Sequence, residues 1–297
     1  MPKHQRRRFD DDLDEPPFRS FGQAELSHAP DRPEDETTDE PSWSTYPDAA
    51  HGPSPVPTWV ITSANAIDTD LGVLKTGKEA DVSLLRRDFG DESCLMAVKR
   101  YRDGQHRLFH RDAGYLEGRR VRRSREMRAM TTRTSFGREL ISGQWAFAEF
   151  GVLSRFWSIE VPVPYPVQFD GTELIMEFIG TPDGVAAPRL AETRPSPDVA
   201  AGLYEQMRVA LLKVVDAGYA HGDLSPYNVL VHDGRLVLID LPQAPDIVGN
   251  PQGLAYLQRD CENICTWFAA RGVDADAADL FDELLDNMPG PGRQNHQ

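Results

Sequence analysis

From Leu71 onward the chain runs in short apolar stretches, LGVLKT, ADVSLLRR and SCLMAVKRY, separated by Gly, Asp or Ser. Runs of this length and spacing predict strands joined as an antiparallel meander. Past Gly137 the pattern changes. Leu140, Trp145, Phe147, Phe150, Leu153, Phe156 and Trp157 recur at mixed helical spacing, which predicts a long and well-buried helix. Two further strands are expected around PYPVQFD and TELIMEFI. Pro197 to Gly218 predicts a second helix, with Leu203, Met207, Leu211, Leu212 and Val215 on one face and Gly218 as its stop. A loop, two short strands in NVLVHD and RLVLID, and helices near 252–271 and 274–287 complete the order. Strands, one helix, strands and then mostly helices describe an α+β chain with a sheet-rich N-terminal lobe and a helical C-terminal lobe.

The segment before the meander reads differently. Residues 1–57 combine acidic runs (Asp10 to Asp12, Glu34 to Glu36) with frequent proline and few aliphatics, a composition that predicts a disordered tail. The net charge is −15, from 47 acidic against 32 basic residues, which disfavours polyanionic partners unless the basic residues cluster. They do cluster: between Arg100 and Arg138 lie Arg119, Arg120, Arg122, Arg123, Arg125 and Arg128. Cys94, Cys261 and Cys265 have no zinc-like spacing and form no even-numbered framework, as expected of a reducing, cytoplasmic setting. The N-terminal basic residues are followed by acids, so no secretory signal is read there. No stretch approaches the roughly 20 apolar residues of a membrane span, and no membrane partner is expected.

The chemistry concentrates in HGDLSPYNVLVHDGRLVLID, His221 to Asp240. His221, Asp223 and Asn228 form H-x-D-x-x-x-x-N between a helix end and a strand start, the placement of a phosphotransferase catalytic loop. Asp240 closes the strand LVLI, so Asn228 and Asp240 present two oxygens from adjacent strand ends, a set suited to Mg²⁺. Upstream, Lys99 ends an apolar strand as a nucleotide-phosphate lysine does, and Glu149 in the long helix is the carboxylate to hold it. Gly72 to Glu79, GVLKTGKE, falls one residue short of a P-loop: Glu79 stands where a hydroxyl is needed, and strand rather than helix follows. TGKEADV therefore reads either as an ordinary hairpin turn or as a turn that covers phosphates with Thr76, its amides and Lys78, while Val82 packs on the base.

Together, TGKEADV, AVKRY, WAFAEF, LIMEFIG, APRL, HGDLSPYN and IDLPQA resemble the RIO family of atypical serine/threonine protein kinases, in the branch without an N-terminal winged helix. The resemblance spans roughly residues 60–272. It implies a bilobal protein-kinase-like fold with an N-lobe at 58–179, an Arg-rich flexible loop at about 101–136, a reduced helical C-lobe at 180–289 and a disordered C-terminus at 290–297. It also implies ATP with Mg²⁺ or Mn²⁺ as cofactors. Lys99 would contact the phosphates with Glu149 positioning it, and Glu177 and Ile179 would offer hinge groups to adenine behind Met176. Asp223 would be catalytic, and Asn228 and Asp240 would hold the metal. Asp240 would also be the site of an aspartyl phosphate, giving ATPase activity. Leu241 departs from the family's usual phenylalanine, an apolar exchange.

Only 57 residues follow Asp240, too few for an activation loop and a peptide-docking platform of the ordinary kinase kind. Regulation through an activation loop is not expected and peptide phosphorylation is harder to assume, while the resemblance implies a protein substrate or the chain itself as acceptor. The Arg-rich loop suits RNA or a ribonucleoprotein, or else is simply a solvated loop. Two alternatives stand beside this reading. One is a small-molecule phosphotransferase resembling aminoglycoside or choline kinases, and the other an ATPase switch in ribonucleoprotein assembly.

Overall fold

The computed structural model describes residues 41–102, 135–241 and 244–288, with the side chains of 135–141 left aside. The strands are β1 (Ser42–Trp43), β2 (Ala50–His51), β3 (Ile67–Thr76), β4 (Ala80–Phe89), β5 (Glu92–Tyr101), β6 (Pro166–Asp170), β7 (Glu173–Glu177), β8 (Val229–His232) and β9 (Arg235–Leu238). The helices are α1 (Ser135–Ser158), α2 (Pro197–Asp216), α3 (Gly253–Ala269) and α4 (Ala277–Asp286). The first seven strands form one antiparallel sheet in the order β1-β3-β4-β5-β7-β6-β2, and β8 pairs with β9 in the C-terminal lobe.

Local chemistry accounts for most of these limits. Phe89 and Glu92 pair across a two-residue turn in which Gly90 takes a φ of 62°, as a tight hairpin requires. Helix α2 begins with Ser196 accepting from the Val199 N–H and Pro197 in its first turn. It ends in a Schellman motif. Gly218, at φ 85°, donates to the Val215 carbonyl and Tyr219 donates to that of Val214.

The tail expected to lack structure through residue 57 is ordered from residue 41, and residues 1–40 lie outside the described part. Its ordering follows from topology rather than composition, because the segment supplies both edge strands of the sheet. β1 closes the β3 edge and β2 the β6 edge. Between and after them, Tyr46, Val60 and Ile61 cover the back of the sheet, packing with Leu85, Met96, Val98, Tyr165, Val167 and Ile175. The strap is pinned by a buried charge. Arg87, fully buried, donates to both carboxylate oxygens of Asp68 at 2.6 and 2.8 Å, to Gln168 at 2.9 Å and to the Ile61 carbonyl at 3.3 Å. Arg87→Ala leaves the Asp68 carboxylate buried and unpaired. It is expected to destabilise the N-lobe by about 3–5 kcal/mol, read from chemical denaturation.

The opposite face of the sheet meets α1 and, through it, the C-terminal lobe. Tyr101, Trp145, Phe150, Leu153, Phe156, Phe169 and Leu174 share one core with α2, α3, α4 and the β8–β9 pair. Among the described residues no helix is long and apolar enough to cross a membrane. Most of the Arg-rich segment (103–134), Pro242, Gln243 and 289–297 lie outside the described residues.

Candidate active site

Lys99 stands opposite Val82 on β4 and Leu174 on β7, so its side chain leaves the sheet on the face turned toward α1 and the C-terminal lobe. Its ammonium donates to Glu149 Oε1 at 2.9 Å and to Asp240 Oδ1 at 3.0 Å. Glu149 is buried within α1 and also accepts from the Tyr101 hydroxyl and, at 3.4 Å, from the Leu241 N–H. Burial disfavours the Lys99 charge, but Glu149 and Asp240 outweigh it and raise the pKa above that of an ordinary lysine. For Asp240 burial pushes upward, and Lys99 more than offsets it, holding the carboxyl below its usual range. Both groups are charged at neutral pH.

Asp240 follows β9 in the left-handed region, at φ 66°, a conformation uncommon for a non-glycine residue. It is fixed by its neighbour: the Ile239 N–H donates to the Asn228 carbonyl at 3.0 Å, and the Ile239 carbonyl meets His221 Nε2 at 3.1 Å. Leu241 is fully buried, so the apolar exchange read from the sequence preserves core packing at this point.

The loop holding Asp223 is anchored from below by α3. Asp260, fully buried, accepts from the Gly222 N–H at 2.7 Å and the Leu224 N–H at 2.8 Å. Arg259 donates to the Gly222 carbonyl and Asn263 to that of Leu224. Both flanks of Asp223 are therefore gripped, while Asp223 itself is exposed. The Asn228 amide nitrogen donates to the Asp223 carbonyl at 2.8 Å, which leaves the amide oxygen as the atom to take a cation.

The Asn228 and Asp240 oxygens come from the start of β8 and the end of β9, whose residues Val229 and Leu238 pair. Among the described residues no group of three or more His, Cys, Asp or Glu could hold a metal ion by itself. The two oxygens fit a hard ion such as Mg²⁺, which fills the rest of its shell with water and phosphate oxygens.

The other predicted residues fall around this cluster. Val82 and Met176 flank Ala97 and Lys99 in the sheet, since Met176 pairs with Ala97 and Val82 with Lys99. The turn after Thr76 is a strand-to-strand hairpin, with Gly77 donating to the Ala80 carbonyl and Arg102 to that of Glu79. A P-loop is thereby ruled out. Thr76 and Lys78 are exposed at its lip and do not hydrogen-bond to the Lys99 cluster. At the hinge, the Glu177 N–H donates to Tyr165 and the Ile179 carbonyl accepts from Ala187, bonds that leave the Glu177 carbonyl and the Ile179 N–H to meet a base.

Sequence reading missed Tyr101 and Asp260. Each carried a signal. Tyr101 lies two residues after Lys99 and so on the same face of β5. Asp260 occupies an apolar-face position of α3, three residues after Leu257 and four before Ile264. An acid inside an apolar stripe is a candidate for a buried structural role.

His221 is buried, and its Nδ1 has no partner among the described residues. Burial lowers its pKa below the ordinary 6.5. The unfolded chain therefore takes up the proton first, and this histidine costs stability as pH falls below about 6.5, until the lowered folded value is passed. Thermal melts between pH 7.5 and 5 are expected to show a smaller loss on acidification in His221→Gln than in the parent protein.

A sequence model described as the RIO domain matches residues 87–280. The chain is 37% identical over 218 residues to the RIO-type serine/threonine-protein kinase Rio1 of Haloferax volcanii, covering 73% of this chain and 69% of that protein. It is 28% identical to human serine/threonine-protein kinase RIO1 over 76% of this chain and 37% of that one. Among solved structures, the Rio2 kinase of Chaetomium thermophilum in its ADP/Mg²⁺-phosphoaspartate complex superimposes with a TM-score of 0.54 at 20% identity, over 75% of this chain and 63% of that one. Its fold is thus kinase-like. The length of the RIO-domain match and the identity to the haloarchaeal protein lead to one assignment: the chain belongs to the RIO family of atypical kinases.

Proposed function

We propose that the chain transfers the γ-phosphoryl group of ATP to serine and threonine hydroxyls of a protein, itself included, as a RIO-type serine/threonine-protein kinase. The observation that carries the reading is the buried Lys99–Glu149 pair reaching a partly exposed Asp240, with an exposed Asp223 in the neighbouring loop. In this reading the Glu177 carbonyl and the Ile179 N–H receive adenine between Val82 and Met176, and the Thr76–Lys78 turn lies over the phosphates. Lys99, kept protonated by Glu149, contacts the phosphates. Asn228 and Asp240 hold Mg²⁺, or Mn²⁺ in its place, which when bound supplies charge neutralisation at the phosphate oxygens. Asp223 orients the acceptor hydroxyl and takes its proton, and the rigid anchoring of its flanks by Asp260 fixes its position.

A second reading is supported by the phosphoaspartate in the related Rio2 structure. An ionised Asp240 oxygen would attack the γ-phosphorus, the bond to ADP would break, and water would then release phosphate. That chemistry serves an ATPase switch. An RNA or ribonucleoprotein partner rests on the arginine pattern of the sequence alone.

Incubation with γ-labelled ATP and a serine/threonine peptide library is expected to yield acid-stable phosphoserine and phosphothreonine. The label should be lost with EDTA and restored by Mg²⁺ or Mn²⁺. Label found only as a hydroxylamine-sensitive acyl phosphate favours the ATPase. Turnover that needs an added aminoglycoside or choline-like alcohol, without protein-bound label, overturns the protein-kinase reading.

A further inference from the structure

Two cations that no role above uses lie near Asp240, one from each lobe. Lys75 stands near the end of β3 opposite Val82, and Val82 stands opposite Lys99. Opposed residues on antiparallel strands share a face, so Lys75, Val82 and Lys99 make one row on the cleft side, with Lys75 roughly 10 Å from Lys99 across two strand spacings. A register irregularity puts it there. Val73 pairs with Ser83, and an unbroken ladder would set Lys75 opposite Asp81, on the Val73–Ser83 face. The shift between Val73 and Lys75 moves the pairing by one residue and turns the lysine to the opposite face.

Arg189 comes from the other lobe. It bridges to Leu230 of β8, its main-chain N–H is capped by Glu192 Oε2 at 3.0 Å, and its guanidinium donates to the Tyr227 carbonyl, one residue before Asn228. Lys99, in the row with Lys75, reaches Asp240, and the Arg189 guanidinium holds the residue before Asn228, so both cations border the same cluster; the lowered proton affinity of Lys75, through burial, Arg189 and Lys99 against Asp240, is in keeping with that placement. Among the described residues the ion pairs of the sheet engage Arg86, Arg87, Lys99, Arg100 and Arg102 but not Lys75, and none engages Arg189. Like charges bordering one site repel, the nearby Asp240 is already paired with Lys99, and an anion seated between the two cations reverses the sign of the interaction.

We infer that Lys75 and Arg189 form a two-lobe clamp for the polyphosphate of the bound nucleotide, an inference that rests on the ATP-binding reading above. The bulge in β3 supplies the upper arm and the Tyr227 carbonyl steadies the lower one.

Calorimetric titration of the full chain with Mg-ATP, Mg-ADP and adenosine tests the clamp in Lys75→Ala, Arg189→Ala and Arg189→Lys. Each alanine variant is expected to bind both nucleotides about tenfold more weakly, the size of one charge-assisted hydrogen bond, and adenosine within about twofold of the parent. Arg189→Lys should fall between. Unchanged nucleotide affinity in both alanine variants, with the parent binding Mg-ATP, overturns the clamp and leaves the kinase reading standing. An equal loss for adenosine assigns the two cations to the fold and also overturns the clamp. A parent protein that binds no Mg-ATP removes both.

Discussion

Asp223→Ala is expected to lower phosphoryl transfer to serine and threonine about 10³-fold, within the range of a lost general base, while Mg-ATP affinity stays within about twofold. The two effects separate because Asp223 is exposed and does not hydrogen-bond to Lys99, Glu149 or Asp240, which hold the phosphate side of the cleft. Its structural partner is Asn228, and the stronger of the two contacts between them is to the Asp223 main-chain carbonyl, which alanine keeps. The loop geometry and the proposed metal oxygens therefore survive the substitution. Single-turnover assays with γ-labelled ATP, paired with calorimetric titration of the nucleotide, read both quantities. Transfer at the parent rate would remove Asp223 from the proton-accepting role. An equal collapse of nucleotide binding would make it a structural residue.

Asp260→Ala is expected to be the most damaging substitution away from the reacting groups. Its carboxylate satisfies two buried N–H donors, Gly222 and Leu224, on either side of Asp223. Alanine leaves both without an acceptor, at about 1–3 kcal/mol each, so a loss of about 2–6 kcal/mol is expected from chemical denaturation. Catalysis should fall as well at temperatures where the variant remains folded, because Gly222, at φ 85°, no longer has its N–H held and the loop is free to relax. Asp260→Asn keeps one carbonyl oxygen and should lie between. Full activity in a folded Asp260→Ala would show that the loop needs no anchor beyond Arg259 and Asn263, which grip the Gly222 and Leu224 carbonyls.

Much of the fold was legible because its signals are local. The α2 start at Pro197, its stop at Gly218 and the strands after Leu71 each depend on neighbouring residues, and the structure places them as the pattern implies. The Lys99–Glu149 pair was legible for a different reason, since the two sit on elements whose order admits few ways of meeting, whereas the contact of Lys99 with Asp240 emerged only in the structure. Residues 41–57 were not legible. Their composition is that of a free tail, and their order comes from edge pairing with β3 and β6, from the Gln168 amide on Thr45 and from the Arg87 guanidinium over the Tyr46 ring, contacts that reach across more than a hundred residues in the case of β2 with β6.

The sequence by itself determined the order of elements and the succession Lys99, Glu149, Asp223, Asn228 and Asp240 along them, because periodicity, caps and motif spacing are properties of neighbouring residues. Only the tertiary structure decided that Asp240 takes a left-handed backbone, that Tyr101 and Lys99 converge on Glu149, that Asp260 holds the catalytic loop, and that a slipped register turns Lys75 into the cleft. Each of these depends on pairing or packing between segments distant in the chain, and for Glu149 and Asp260 on which polar groups are buried together, which local composition does not decide.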